Sequence, residues 1–282
     1  MSRRFFGTAK HIRHVLATVE LSRKQAAYFI ESKNAWNGVA DLRQMLQHSE
    51  NFSSTDPRDL IYAFIGLSGP AHNIEPDYSD TNTILHLLIA AAQSIIKSED
   101  RLYILDDSII RDRKRYGMWL PSWVPEWTSP PTPNSQELKR RIHGTQRPFN
   151  ASRNRNAMAT FIPNDRDSTK VTLKVHGLLV GILSVIEHDP YDTWRQLKTS
   201  SGLSVVSSSA AHINDQVWVL YGANDVYVLR EENNDNKYSL VGEASVWERG
   251  DDGVLNESNI MYGEMIDRET RGEIELQEIS IV

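Results

Sequence analysis

The chain has 282 residues, with 31 Lys and Arg against 37 Asp and Glu, and a formal net charge of -6. Hydrophobic residues make up 40%, enough for a folded core, and the acidic balance argues against a chain-wide nucleic-acid footprint. Cysteine is absent, which excludes disulfides, thiolate nucleophiles, zinc–cysteine sites and iron–sulfur clusters together.

The first residues, Met1 to His11, carry charges interrupted by two Phe and no apolar run follows, so they do not read as a secretory signal. No run reaches the roughly 18 apolar residues that a membrane helix needs. The expectation is an intracellular, cytoplasmic chain without membrane insertion, in which the Asn-x-Ser sequons at Asn51, Asn150 and Asn256 arise by chance.

Apolar residues at helical spacing (Ile12, Val15, Leu16, Val19, Ala26, Ala27, Ile30) predict a helix over 11–30. A second stretch, 35–47, places Val39, Leu42, Met45 and Leu46 on one side. Asp56 can then cap a third helix, with Pro57 at the first helical position, where its missing N–H costs nothing. Leu60, Ile61, Phe64, Ile65 and Leu67 form its stripe, and Gly66, Gly69 and Pro70 end it. Pro76 biases Glu75 toward an extended conformation. Ser79 or Asp80 is the expected cap of a helix running to about Lys97. The short apolar run 102–105 is expected to pair or pack nearby, ahead of a charged loop.

Three of the seven Trp lie in residues 119–127, where Pro121 and Pro125 forbid a regular helix. This segment reads as an extended strap. Residues 128–168 are Pro-rich, then basic and polar, and read as a loop or linker. Beyond 170 the period changes to that of strands, with Gly177 and Gly181 marking a bulge or bend. Residues 198–209 are Ser-rich and read as mobile, whereas 215–221, 226–230 and 238–246 read as three strands of a meander. The expected fold class is α+β: a helical N-terminal half, then a small antiparallel β-rich module, meander or barrel-like. The corresponding divisions are 1–127, a loop at 128–168, a β-rich module at 169–267 and an acidic, fraying tail at 268–282.

Candidate sites compete with plainer readings. His11 and His14 have the spacing of a metal pair, but no third ligand is evident and a solvent-facing pair is favoured. Asp56 and Asp59 suit a helix N-terminus better than an acid/base pair, with Arg58 as a bridge to another element. Asp106 and Asp107, beside Ser108, follow an apolar run but lack a Gly-rich phosphate loop, so a cap or solvated loop is favoured. The Trp strap reads as a structural anchor rather than a stacking platform. Lys139, Arg140, Arg141 and Arg147 form a solvated basic loop, and Glu264 is no site by spacing alone. These residues do not assemble a nucleophile, its base and an oxyanion hole, and the expectation is no catalytic residue, no metal and no cofactor.

Three ordered segments nevertheless carry a resemblance. Thr55-Asp-Pro-Arg-Asp-Leu-Ile-Tyr-Ala-Phe-Ile-Gly-Leu67, Ile74-Glu-Pro-Asp-Tyr-Ser79 and Leu120-Pro-Ser-Trp-Val-Pro-Glu-Trp127 resemble segments of fungal heterokaryon-incompatibility (HET) domain proteins. Asp215-Gln-Val-Trp-Val-Leu-Tyr-Gly222, Val226-Tyr-Val-Leu-Arg230, Tyr238-Ser-Leu-Val-Gly-Glu243 and Tyr262-Gly-Glu264 are similar to the family's later segments. The likeness covers roughly residues 40–265, the region at and after the end of the HET domain. The family's upstream Gly-Glu and Asp-Glu pairs are not found here. His86 departs from the aromatic residue often found in the family, and the stretch from Ile186 to Asp215 is short for it.

The resemblance implies a protein of non-self recognition and programmed cell death that acts through an unidentified protein partner. Its motif residues here are Asp56, Pro57, Arg58, Asp59, Tyr62, Gly66, Pro76, Asp77, Tyr78, Pro121, Trp123, Pro125, Trp127, Arg230, Gly242 and Glu243, and their expected roles are structural. The competing expectations are a nucleotide-processing enzyme using Asp106, Asp107 or Glu264, and a weak nucleic-acid-binding module using the strap and basic loop.

Overall fold

The computed structural model describes residues 41–47, 54–68, 72–108, 120–128, 148–191, 194–232 and 236–282, with the side chains of 189–191 left out. The helix expected over 11–30, the His11 and His14 pair and the basic loop from Lys139 to Arg147 lie outside the described residues.

Helix α1 is Leu42–Gln47 and buries Leu42 and Leu46. Helix α2 is Pro57–Leu67. Asp56 caps it, its carboxylate accepting the Arg58 N–H at 2.9 Å, and Ile61, Tyr62 and Ile65 face inward. Leu67, expected in the buried stripe, is 53% exposed. Helix α3, Ile84–Glu99, begins at Thr83 rather than at Ser79 or Asp80. The reason is local: Ser79 N–H bonds the Asp77 carboxylate and the Ser79 hydroxyl pairs with that of Thr81, so both side chains close a turn instead. His86, at the third position of α3, accepts the Thr83 N–H at 3.3 Å, completing the turn as Glu or Gln does in other helices. Nine residues of α3 are buried, on more than one side, because the helix lies between α2 and the sheet.

Most of the remaining described residues form one nine-stranded, mainly antiparallel sheet. Its strands are β1 (Thr160–Asn164), β2 (Asp167–Tyr191), β3 (Trp194–Thr199), β4 (Ser204–Ser208), β5 (Gln216–Leu220), β6 (Val226–Glu232), β7 (Lys237–Arg249), β8 (Leu255–Glu257) and β9 (Gln277–Ile281). The pairing runs β2–β3–β4–β7–β6–β5 and returns from β5 to β2, so six strands close into a barrel. Strand β2 serves both ends of this path because it is long. It slips register against β5 between Leu179 and Gly181, a bulge that lets one strand change partners. At Gly177 a Cβ would stand 2.9 Å from Leu220 Cδ2 and 3.1 Å from the Val219 carbonyl, so the close approach there requires glycine.

Alternation along the strands builds two cores. Leu178, Leu183, Leu197, Val205, Val217, Val219, Val226, Val228, Ala244 and Val246 come from all six barrel strands and form one cluster, joined by Met265 and Ile266 of α4 (Glu264–Thr270). Trp218, Leu220, Tyr227, Leu229, Tyr238 and Leu240 point the other way and share a second cluster with α1, α2, α3 and the Trp strap.

The expected fold class is therefore overturned. The described chain is mostly antiparallel sheet with few helices, not a helical half followed by a small β module. Residues 204–208, read as mobile because of their Ser content, form β4, buried on both faces except at the half-buried Val206. The loop expected through 168 ends early: Phe149, Ala151 and Ala157 are buried and β1 follows. The acidic end does not fray; Ile279 and Ile281 are buried where β9 pairs antiparallel with β2 and parallel with β7. The run 102–105 packs as expected, with Leu102, Ile104 and Leu105 buried where it enters a 3-10 helix, Tyr103–Asp107. Among the described residues, no helix is long and apolar enough to cross a membrane.

Candidate functional site

Two groups of the singled-out residues come together, one at the surface and one inside. The surface group ties α2 to the turn before α3. Arg58 bonds the Asp56 carboxylate through Nε and Nη2 and donates from Nη1 to the carbonyls of Ser79 (3.1 Å) and Asn82 (2.9 Å). The Tyr62 hydroxyl donates to the Asp77 carbonyl and receives Asn82 Nδ2, each at 2.9 Å. Tyr78 donates to the Asp59 carboxylate at 2.7 Å, and the Arg58 guanidinium lies over its ring. Hydrogen bonds from Arg58 hold the Asp56 carboxyl below its usual range, and those from Ser79 do the same for Asp77. Pro76 lies in the irregular segment before the turn, and Gly66 faces open space on α2.

The Trp strap lies against the sheet. Trp123 is fully buried, and its Nε1 donates to the Val171 carbonyl at 3.0 Å. Ser122 N–H bonds the Val282 carbonyl, while Ser122 Oγ accepts the Leu240 N–H, so the strap joins β7 to the end of the chain. Pro121, Pro125 and Trp127 are buried beside it. Arg230 forks onto Asp215 at 2.9 and 2.8 Å and reaches the Ala210 carbonyl, fixing the turn before β5. Gly242 lies at the β6–β7 register shift.

The interior group was foreseen only in part. A left-handed Asp100 (φ 51°) ends α3, and the Leu102 N–H bonds the Gly222 carbonyl at 2.8 Å. That docks the 3-10 helix with Ile104 and Leu105 buried and carries Asp106 and Asp107 inward. Opposite them, Tyr227 of β6 pairs in register with Glu243 of β7, and Asp225 stands in the turn just ahead of β6. One carboxylate oxygen from each of Asp106, Asp225 and Glu243 lies within 4.8 Å of the others. Asp225 and Glu243 are 3% and 2% exposed. The Tyr227 hydroxyl donates to Asp106 Oδ1. Arg43 of α1 bridges Asp106 Oδ2 at 3.4 Å and Asp107 Oδ2 at 3.2 Å, and Gln47 Nε2 donates to Asp107 at 2.9 Å.

The electrostatics follow from this crowding. Burial, then the charges of Asp225 and Glu243, push the Asp106 carboxyl well above the usual range, against Arg43 and the Tyr227 hydrogen bond. Burial and the Asp106 charge likewise push Tyr227 well up. Burial alone would lower Arg43, but Asp107 and Asp106 outweigh it and hold the guanidinium charged. Burial also raises Glu99 nearby. Chemically, the group can retain a proton on Asp106, and its three converging oxygens have the spacing of cation ligands.

The plain reading of Asp106 and Asp107 as a cap or solvated loop is thus corrected: they are drawn into a charged cluster under the helices. Glu264, by contrast, opens α4 and is not part of it. Glu243, carried as a motif residue, is a member. Asp225, Tyr227 and Arg43 were not singled out. Asp225 reads as the end of a turn and Tyr227 as part of a strand, and their meeting with Asp106 depends on long-range docking.

No family model matches the chain. It is similar to the heterokaryon incompatibility protein 6, OR allele, of Neurospora crassa, at 34% identity over 84 residues, which cover 26% of this chain and 12% of that protein. No solved structure matches it.

Proposed function

We propose that this chain is a non-catalytic interaction protein of heterokaryon incompatibility, acting in non-self recognition and the cell death that follows it. The observation that carries the reading is the local likeness to a heterokaryon incompatibility protein. The placement of the motif residues supports it: Asp56, Arg58, Asp59, Tyr62, Asp77 and Tyr78 engage one another across two elements. Trp123 and Arg230 anchor the strap and a barrel turn. Each is occupied in holding the fold, which leaves the assembled surface to meet a protein partner.

The test is induced expression of the chain in a filamentous fungus, with soluble protein verified. Normal growth of a single strain, together with altered viability of heterokaryons between otherwise compatible strains, is the expected result. Arrest of the single strain on expression alone contradicts it. A second reading, a nucleotide-processing enzyme, is favoured by the convergence of Asp106, Asp225 and Glu243. It predicts turnover of a nucleotide by purified protein that disappears in a folded Asp106→Asn variant.

A further inference from the structure

We propose that the cavity between residues 72–74 and the C-terminal half of α3 binds a small ligand carrying a phosphate monoester. This site is separate from the carboxylate cluster and does not depend on the reading above. The cavity holds about 400 Å³, within the range of small-molecule sites, and is lined by His72, Asn73, Ile74, Ala90, Gln93, Ser94, Lys97 and Ser98. Six of these are polar and none is a carboxylate, in a chain whose net charge is -6.

The donors come from both walls. On the helix, Lys97 supplies an ammonium whose Nζ lies 5.3 Å from the Phe161 ring centroid, and Gln93 supplies an amide. On the opposite wall stand the Asn73 amide and the His72 ring. Asn73 is held at φ 40°, a left-handed conformation uncommon outside glycine, which fixes this wall in a tight shape. Ser94 Oγ donates to the His72 carbonyl at 3.3 Å and pairs with His72 Nδ1 at 2.9 Å. Nδ1 is thereby engaged by Ser94, and the imidazole can carry a second proton when a negative charge enters.

Asp41, ahead of α1, is the charge that acts on the His72 ring, and Lys97 lines the same cavity from α3. Burial lowers the affinity of the ring for a proton more than Asp41 raises it, so the unliganded ring holds a second proton less readily than a free imidazole. A phosphate dianion entering beside Lys97 reverses that balance. The ring takes up a proton, and two cations then meet two negative charges. A monovalent anion needs Lys97 alone, so the ligand class that uses both cations is a phosphate monoester.

The experiment follows the His72 Cε1 proton by NMR in the full chain, its signal assigned by loss in His72→Gln. Glycerol 3-phosphate, inorganic phosphate and sodium chloride at matched ionic strength are the probes. A saturable shift with a raised His72 pKa, weakened about tenfold or more in a folded Lys97→Met variant, is expected. Equal response to both phosphates means the phosphate group is what is read. A response to glycerol 3-phosphate alone means the organic part is needed too. No saturable shift with either, the same shift with chloride, or undiminished binding by Lys97→Met overturns the proposal.

Discussion

Asp106 shows what burial does to one residue. Its carboxyl sits against Asp225, Glu243 and Tyr227, and titrates well above the unfolded range. A carboxyl whose folded pKa is raised binds its proton more tightly in the native state. Its contribution to stability is complete below the unfolded pKa, about 4, and is lost as pH rises through the folded value. Stability of the native chain should therefore carry a component that falls with rising pH above about 4. Asp106→Asn, which cannot titrate, should flatten that component, as denaturant unfolding across pH would record. Equal pH slopes in both proteins would mean that Asp106 is not the group responsible. Trp123 is the other extreme, a large ring with its one polar atom satisfied. Trp123→Ala should cost about 3–5 kcal/mol, and a smaller loss in chemical unfolding would show that the strap collapses onto the gap. Arg230→Ala leaves Asp215, 3% exposed, without its guanidinium and should cost about 1–3 kcal/mol by the same measurement.

Elements were legible in proportion to how local their causes are. Helix α2 was readable from Asp56 and Pro57 because a cap and its N–H lie two residues apart. The start of α3 was misplaced by four residues from Ser79, because Ser79 and Asp77 satisfied each other first. Strands β5 and β6, short runs of β-branched and aromatic residues bounded by turn residues, could be read directly. Strand β4 could not, because its Ser-rich composition outweighed its pattern until β3 and β7 flanked it. Strand β9 was harder still: five residues in an acidic tail, ordered only by β2 and β7. That dependence makes a prediction. Ile279→Asp puts a charge at a position 1% exposed between two strands and should lower the melting temperature sharply, whereas Glu275→Ala, outside the strand, should leave it nearly unchanged.

At the scale of the molecule, helices and barrel share a wall. Tyr227 and Leu229 of β6 face the helices, while Val226 and Val228 of the same strand face the barrel interior. Neither cluster can lose that strand without exposing the other, so the described region should unfold as a unit, with far-ultraviolet dichroism and tryptophan fluorescence changing together. The carboxylate cluster lies on this wall, where Asp106 from the 3-10 helix meets β6 and β7. Its members are far apart in sequence, which is why only Asp106, Asp107 and Glu243 drew attention beforehand. The central claim is that this cluster and the motif residues hold the fold, and that the chain acts through contacts with other proteins. The measurement that tests it most directly is heterokaryon viability with native chain and with Asp106→Asn, both shown to be folded by their melting curves. The account predicts the same effect from both. A folded Asp106→Asn chain that has lost the effect would contradict it and make Asp106 a chemical participant.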